Sequence, residues 1–153
     1  MSWEENEKKK EYLSGYRTAL RREKRILEQI QQLRLDAMLP SCIQGDGMPG
    51  GSGGEGDLSD YAEKLDELME LLEQERLEAE RQYQDIYQAV KRIQEDEERE
   101  ILVRRYLIRE SWEAIAQEMM CSRRTAIRIH GRALKNFQIP ESWHTVTHHN
   151  VII

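Results

Sequence analysis

Six polar or basic side chains gathered in one short stretch are suited to holding a polyanion: Ser122, Arg123, Arg124, Arg128, Arg132 and Lys135. Arg124, Arg128 and Arg132 recur every four residues, which on a helix makes one ridge of guanidinium groups. An arginine near the start of such a helix can meet guanine O6 and N7 together, while later basic residues meet phosphates. Ser122 is placed to accept an orphan backbone N–H at the N-terminus of that helix. Roughly opposite the ridge, Ala126, Ile129, Ala133 and Phe137 follow at steps of three, four and four, an apolar face. The chemistry implied is recognition of double-stranded DNA. The plain alternative is a solvated basic face on an ordinary helical hairpin, and the charges alone do not choose between the two.

The element that must position this helix precedes it. In Ser111–Met119, Ile115, Ala116 and Met119 form a second short apolar face. Two faces this short close on each other only if their helices cross steeply over a small turn. Ala116 supplies the small residue where they touch. The pattern predicts a helix-turn-helix, whose second helix enters the major groove.

Residues Glu98 to Phe137 also carry a family resemblance. The matching pieces are Glu98-Arg99-Glu100 with Leu102 and Tyr106, then Trp112-Glu113-Ala114-Ile115-Ala116. Ser122-Arg123-Arg124-Thr125 and Gly131-Arg132-Ala133-Leu134 complete the set. Together they resemble the C-terminal promoter-reading region of sigma-70-type factors, and more narrowly the small sigma-like regulators of phages and prophages of Gram-positive bacteria. The resemblance implies that Arg123, Arg124, Ile127 and Arg128 face bases while Ser122, Thr125 and Arg132 face the backbone. It also implies RNA polymerase as a further partner and a bacterial cytoplasm as the setting. Two departures stand out. Met120 occupies the turn position where the family has glycine and a left-handed backbone is favoured, at a cost of order 1 kcal/mol for any other residue. No proline precedes the first helix of the motif, since none occurs between Leu58 and Phe137.

Length and composition suit one domain, or a small domain with an appendage. Of 153 residues, 34% are charged and 7% aromatic, a lean supply for a large compact core and typical of long helices. The net charge of −6 is unevenly spread. From Asp57 to Glu98 there are fifteen acids against five bases, whereas from Arg99 to Lys135 there are nine bases against four acids. A polyanion meets the local sign, because charges beyond about 10 Å are largely screened at ordinary salt.

Trp3 to Met38 reads as one helix with Leu13, Tyr16, Leu20, Leu27, Ile30, Leu33 and Ala37 on its stripe, weakened at Gly15 and ended by Pro40. Ser41 to Gly56 holds seven glycines and Pro49 and reads as a linker that reverses the chain. It lacks the Gly-Lys-Ser/Thr ending of a phosphate-binding loop. Asp57 is expected to cap a helix running from Leu58 to at least Ile93. Along it Leu58, Leu65, Leu72, Ala79, Ile86 and Ile93 recur every seven residues, with Tyr61, Leu68 and Ala89 between them. Met69, Tyr83 and Val90 widen the stripe beyond what one partner helix needs. The basic first helix and acidic second helix are expected to pair as an antiparallel hairpin, leaving apolar surface for a homodimer. Leu65, Leu68, Leu72, Ala79 and Ile86 are the expected oligomerisation residues.

Chemistry of other kinds finds little support. No nucleophile sits at motif spacing from a base, no dinucleotide loop is present, and no cofactor is called for, so an enzyme is not expected. Cys42 and Cys121 read as two separate reduced thiols. His144, His148 and His149 lack a carboxylate or thiol to complete a metal site. No apolar run approaches the length that spans a bilayer, and no membrane partner is expected.

The sequence thus predicts an all-α protein in three parts: a long, coiled-coil-like antiparallel hairpin over 1–97 with its glycine-rich linker at 41–56, a sigma-like helix-turn-helix over 98–137, and a flexible tail over 138–153. The expected function is sequence-specific regulation of phage or prophage transcription. No region before Glu98 has the basic and aromatic make-up for melting a promoter, so a complete sigma factor is not expected. Two rival readings share the architecture: a small-terminase-like DNA-packaging protein, which would assemble as a large ring, and a helical adaptor that binds only protein.

Overall fold

The computed structural model describes residues 2–38 and 54–143, and every regular element among them is helical. The elements are α1 (Trp3–Leu13), α2 (Gly15–Met38), α3 (Gly54–Val90), α4 (Asp96–Leu102), α5 (Trp112–Glu118) and α6 (Arg123–Asn136). α4 runs on directly into a π-helical turn over Val103–Ile108. The expected all-α class, a hairpin followed by C-terminal helices, holds.

Several boundaries differ from expectation, each for a physical reason. The first helix is two, parted at Ser14 (φ −81, ψ 0), although Ser14 N–H still donates to Lys10 O at 2.9 Å. The adjoining Gly15 does more than lower propensity. A Cβ there would lie 2.5 Å from Oε1 of Gln82, so the end of that flexible side chain would have to shift, and 3.9 Å from Cδ1 of Ile86, an ordinary contact. α3 begins at Gly54, so the Asp57 backbone is already helical and Asp57 is not the N-cap. At its other end α3 stops at Val90, and Ile93 lies in the following turn. The Arg99 guanidinium holds that turn, donating to Ile93 O at 2.6 Å and Gln94 O at 2.9 Å. The long helix therefore does not continue into the helix-turn-helix.

Contacts divide the chain into two compact units, with the divisions falling inside the two long helices. Ala19–Glu78 is one unit, and residues up to Thr18 join those from Ala79 onward in the other. In the first unit α2 and α3 run antiparallel. The end of α2 and the start of α3 line one cleft, with Leu33, Ala37, Leu58 and Tyr61 in its walls. Further along, Arg76 Nε donates to Glu23 Oε1 at 3.1 Å. Ile30 and Leu72 are buried in this unit, and Ile26, Leu33, Leu65 and Leu68 are half-buried. Leu27, expected on the packed stripe, is exposed, and Ile26 packs in its place.

The second unit holds one continuous core. Ile101, Leu102, Leu107, Ile115, Ala116, Ala126, Ile129, Ala133, Leu134 and Phe137 come from the C-terminal helices. Tyr12 and Leu13 of α1 and Ile86, Ala89, Val90 and Ile93 from the end of α3 join the same cluster. The C-terminal motif is too small to close a core alone, and α1 supplies the missing apolar surface. Ile139 and Trp143 also pack on this cluster, so the segment expected as a tail begins with anchored residues. Cys42, most of the glycine-rich linker and His144, His148 and His149 lie outside the described residues.

Candidate nucleic-acid interface

Both helices of the motif are capped by serine. Ser111 Oγ accepts from Ala114 N–H at 3.2 Å, and Ser122 Oγ accepts from Thr125 N–H at 3.1 Å. The Ser122 hydroxyl also donates to Thr125 Oγ1 at 2.9 Å, which fixes the start of α6. Between the helices Met120 takes φ 54, the left-handed backbone that glycine adopts most cheaply. Cys121 N–H donates to Ala116 O at 3.0 Å and closes the turn. The tight turn therefore forms despite Met120, whose side chain is 93% exposed and displaces nothing.

α6 separates its residues by side. Ala126, Ile129, Ala133 and Leu134 are buried, together with Phe137 at its end. Ser122, Arg123, Arg124, Ile127, Arg128, Arg132 and Lys135 are exposed, and Thr125 is half-buried. Every residue expected to meet DNA thus lies on the cap or the outer side of one helix. Ile127, at 44% exposure, is the apolar member of that surface and is suited to a thymine methyl. Two basic residues pair with acids: Arg123 Nε lies 3.3 Å from Glu113 Oε1, and Arg132 Nη2 lies 3.5 Å from Glu97 Oε2. All four side chains are more than half exposed, so these pairs are weak and readily exchanged for another anion. Among the described residues, Arg124 and Arg128 form no ion pair with a carboxylate.

The inner side of α6 is held from three directions, which sequence reasoning missed. From α4 and the π-helical turn that follows it, Tyr106 Oη and His130 Nε2 share a hydrogen bond of 2.8 Å, and Asn136 Nδ2 donates to both oxygens of buried Glu98 at 3.0 and 2.9 Å. From α5, Trp112 meets the His130 ring edge-on at 5.0 Å, and the Arg105 guanidinium lies 4.6 Å from the Trp112 centroid. From α1, Lys9 Nζ donates to Leu134 O at 2.7 Å and Tyr12 lies 5.9 Å from Phe137. Burial, with help from the charges of Lys10 and Arg105, lowers His130 from 6.5 to about 4, so it is neutral at ordinary pH. Burial also raises the Tyr106 phenol to about 12. One signal for this packing was present, since His130 follows Ala126 by four residues.

The five residues expected to join subunits differ in exposure. Leu72 is buried and Leu65 and Leu68 are half-buried in the hairpin unit, while Ala79 and Ile86 are buried in the other unit. Among the described residues no cluster of His, Cys, Asp and Glu is arranged to hold a metal, and no helix is long and apolar enough to cross a membrane. Comparison of the chain with protein-family models, curated proteins and solved structures finds no match.

Proposed function

We propose that this protein is a sequence-specific DNA-binding regulator of transcription that presents α6 to the major groove. One observation carries the reading: a serine-capped helix puts Arg123, Arg124, Arg128, Arg132 and Lys135 on its exposed side and its apolar residues in the core. Arg123, Arg124, Ile127 and Arg128 meet base edges. Ser122, Thr125, Arg132 and Lys135 meet phosphates and set the register. The rigid packing behind α6 supports readout, because a helix held on its inner side loses little freedom on binding.

The sigma-like pattern of Glu98 to Phe137 extends the proposal to phage or prophage genes in a bacterial host, with RNA polymerase as a protein partner. A homodimer reading two half-sites fits a motif this small, since joined motifs gain from effective concentration. The test is selection of bound sequences from a random duplex pool, followed by binding of the selected site across a salt series. Enrichment of a defined site supports the reading. Failure to bind any duplex at low salt would favour a protein-only adaptor, and a large ring that binds DNA without preference would favour the packaging role.

A further inference from the structure

We infer that Gly131 is the point at which the backbone of α6 comes against a DNA strand, its missing side chain setting how deeply the helix seats in the major groove. The inference rests on the reading of α6 as the DNA-reading helix, and it concerns a residue to which that reading gives no role. Gly131 lies in the interior of α6 and is exposed, with ordinary helical backbone. Glycine is a poor choice in a helix interior, because it gives up the most backbone freedom on folding. The rest of the chain supplies no reason for it. Among the described residues, a Cβ on Gly131 would have nothing within 4 Å beyond its own helix backbone and chain neighbours, whereas one on Gly15 would meet Gln82 Oε1 at 2.5 Å.

Its position says what the open space is for. Gly131 follows Ile127 by four residues and Arg128 by three, and it precedes Lys135 by four, so all four share one face of the helix. Ile127 and Arg128 are read as meeting base edges, and Arg132 and Lys135 as meeting phosphates. Gly131 stands between the two sets, where the helix passes the sugar-phosphate wall of the groove. An α-helix with its side chains is about 10–12 Å across and the major groove is about 12 Å wide, so a seated helix has little room to spare. A position without a side chain on that face lets the helix backbone close on the strand and brings Arg124 and Arg128 within reach of the bases. Glycine serves this end wherever a backbone must come close to a ligand.

The test compares full-length wild type, Gly131→Ala and Gly131→Leu by thermal unfolding and by titration of a selected and a scrambled duplex. Gly131→Ala should raise Tm by about 2–4 °C, as alanine for glycine in an exposed helix interior does. It should nevertheless weaken binding to the selected duplex about tenfold, and Gly131→Leu about a hundredfold, the range that added bulk costs in a filled space. Binding to the scrambled duplex, which needs attraction to phosphates but no seated helix, should change little. A wild type that prefers a defined site, with both variants binding it as tightly, would overturn this inference alone. Equal losses for alanine and leucine would overturn it too, since helix stiffness rather than bulk would then be at work. So would a Gly131→Ala protein less stable than wild type, because the chain itself would then require the glycine. A wild type that binds no duplex would overturn the DNA reading, and this inference with it.

Discussion

At the scale of single residues, the positions that matter most are those whose backbone or proton state is unusual. Met120 holds a left-handed backbone with its side chain in solvent, so glycine there relieves strain and removes no contact. Met120→Gly should stabilise the protein by up to about 1 kcal/mol, after allowing for the greater freedom of unfolded glycine. Urea unfolding measures this, and a destabilised variant would show that the Met120 side chain does something in the turn. His130 makes the pH prediction. Its pKa is near 4 in the folded state against 6.5 in the unfolded chain, which therefore binds the extra proton as the pH falls. The stability from neutral, buried His130 is complete above about pH 6.5 and is lost progressively towards pH 4, for a total of about 3 kcal/mol. His130→Gln should flatten that part of the pH dependence. Equal slopes between pH 7 and 5 in wild type and variant would place the acid sensitivity elsewhere.

At the scale of elements, α1 is part of the C-terminal unit and holds the back of α6. Tyr12→Ala removes a buried ring that touches Phe137 and Trp143, and should cost about 3 kcal/mol in the stability of that unit. Thermal unfolding followed by tryptophan fluorescence reads it out, since Trp112 and Trp143 both pack on this core. A variant as stable as wild type would mean that α1 merely rests on the surface. The helix-turn-helix was legible in the sequence because its signals are local. Ser122 stands where a cap is needed, and Ala126, Ile129, Ala133 and Phe137 keep one period. The role of α1 was not legible, because Tyr12 and Leu13 continue the stripe of the next helix and nothing nearby says that they pack over a hundred residues away. The start of α3 was misplaced for a related reason: glycine at 54 and 56 reads as linker, and helix propensity is a weak prior against propagation from a long, favourable helix. The seven-residue repeat was real, but periodicity cannot say whether a seam is filled by the same chain or by another.

At the scale of the whole molecule, the chain divides into two compact units. The unit of Ala19–Glu78 is the hairpin, and the other unit carries the basic helix. Leu72 is buried in the hairpin, so Leu72→Asp sets an unpaired carboxylate in that seam and should open it. The unit containing α6 has its own core and should remain folded, with half-site binding kept and full-site binding weakened. Loss of the tryptophan environment in the same transition would show that the two units fold as one.

The central claim, that the outer side of α6 reads sequence, is met most directly by one binding experiment. Wild type, Arg128→Ala and Arg132→Ala are titrated against a selected duplex and a scrambled duplex at several salt concentrations. The account predicts that Arg128→Ala costs about 1–3 kcal/mol on the selected duplex and relaxes preference at one base pair, with little change on the scrambled one. It predicts that Arg132→Ala weakens both duplexes alike and lowers the salt slope by about one unit. Equal losses on both duplexes for both variants, or no preference in the wild type, would contradict it.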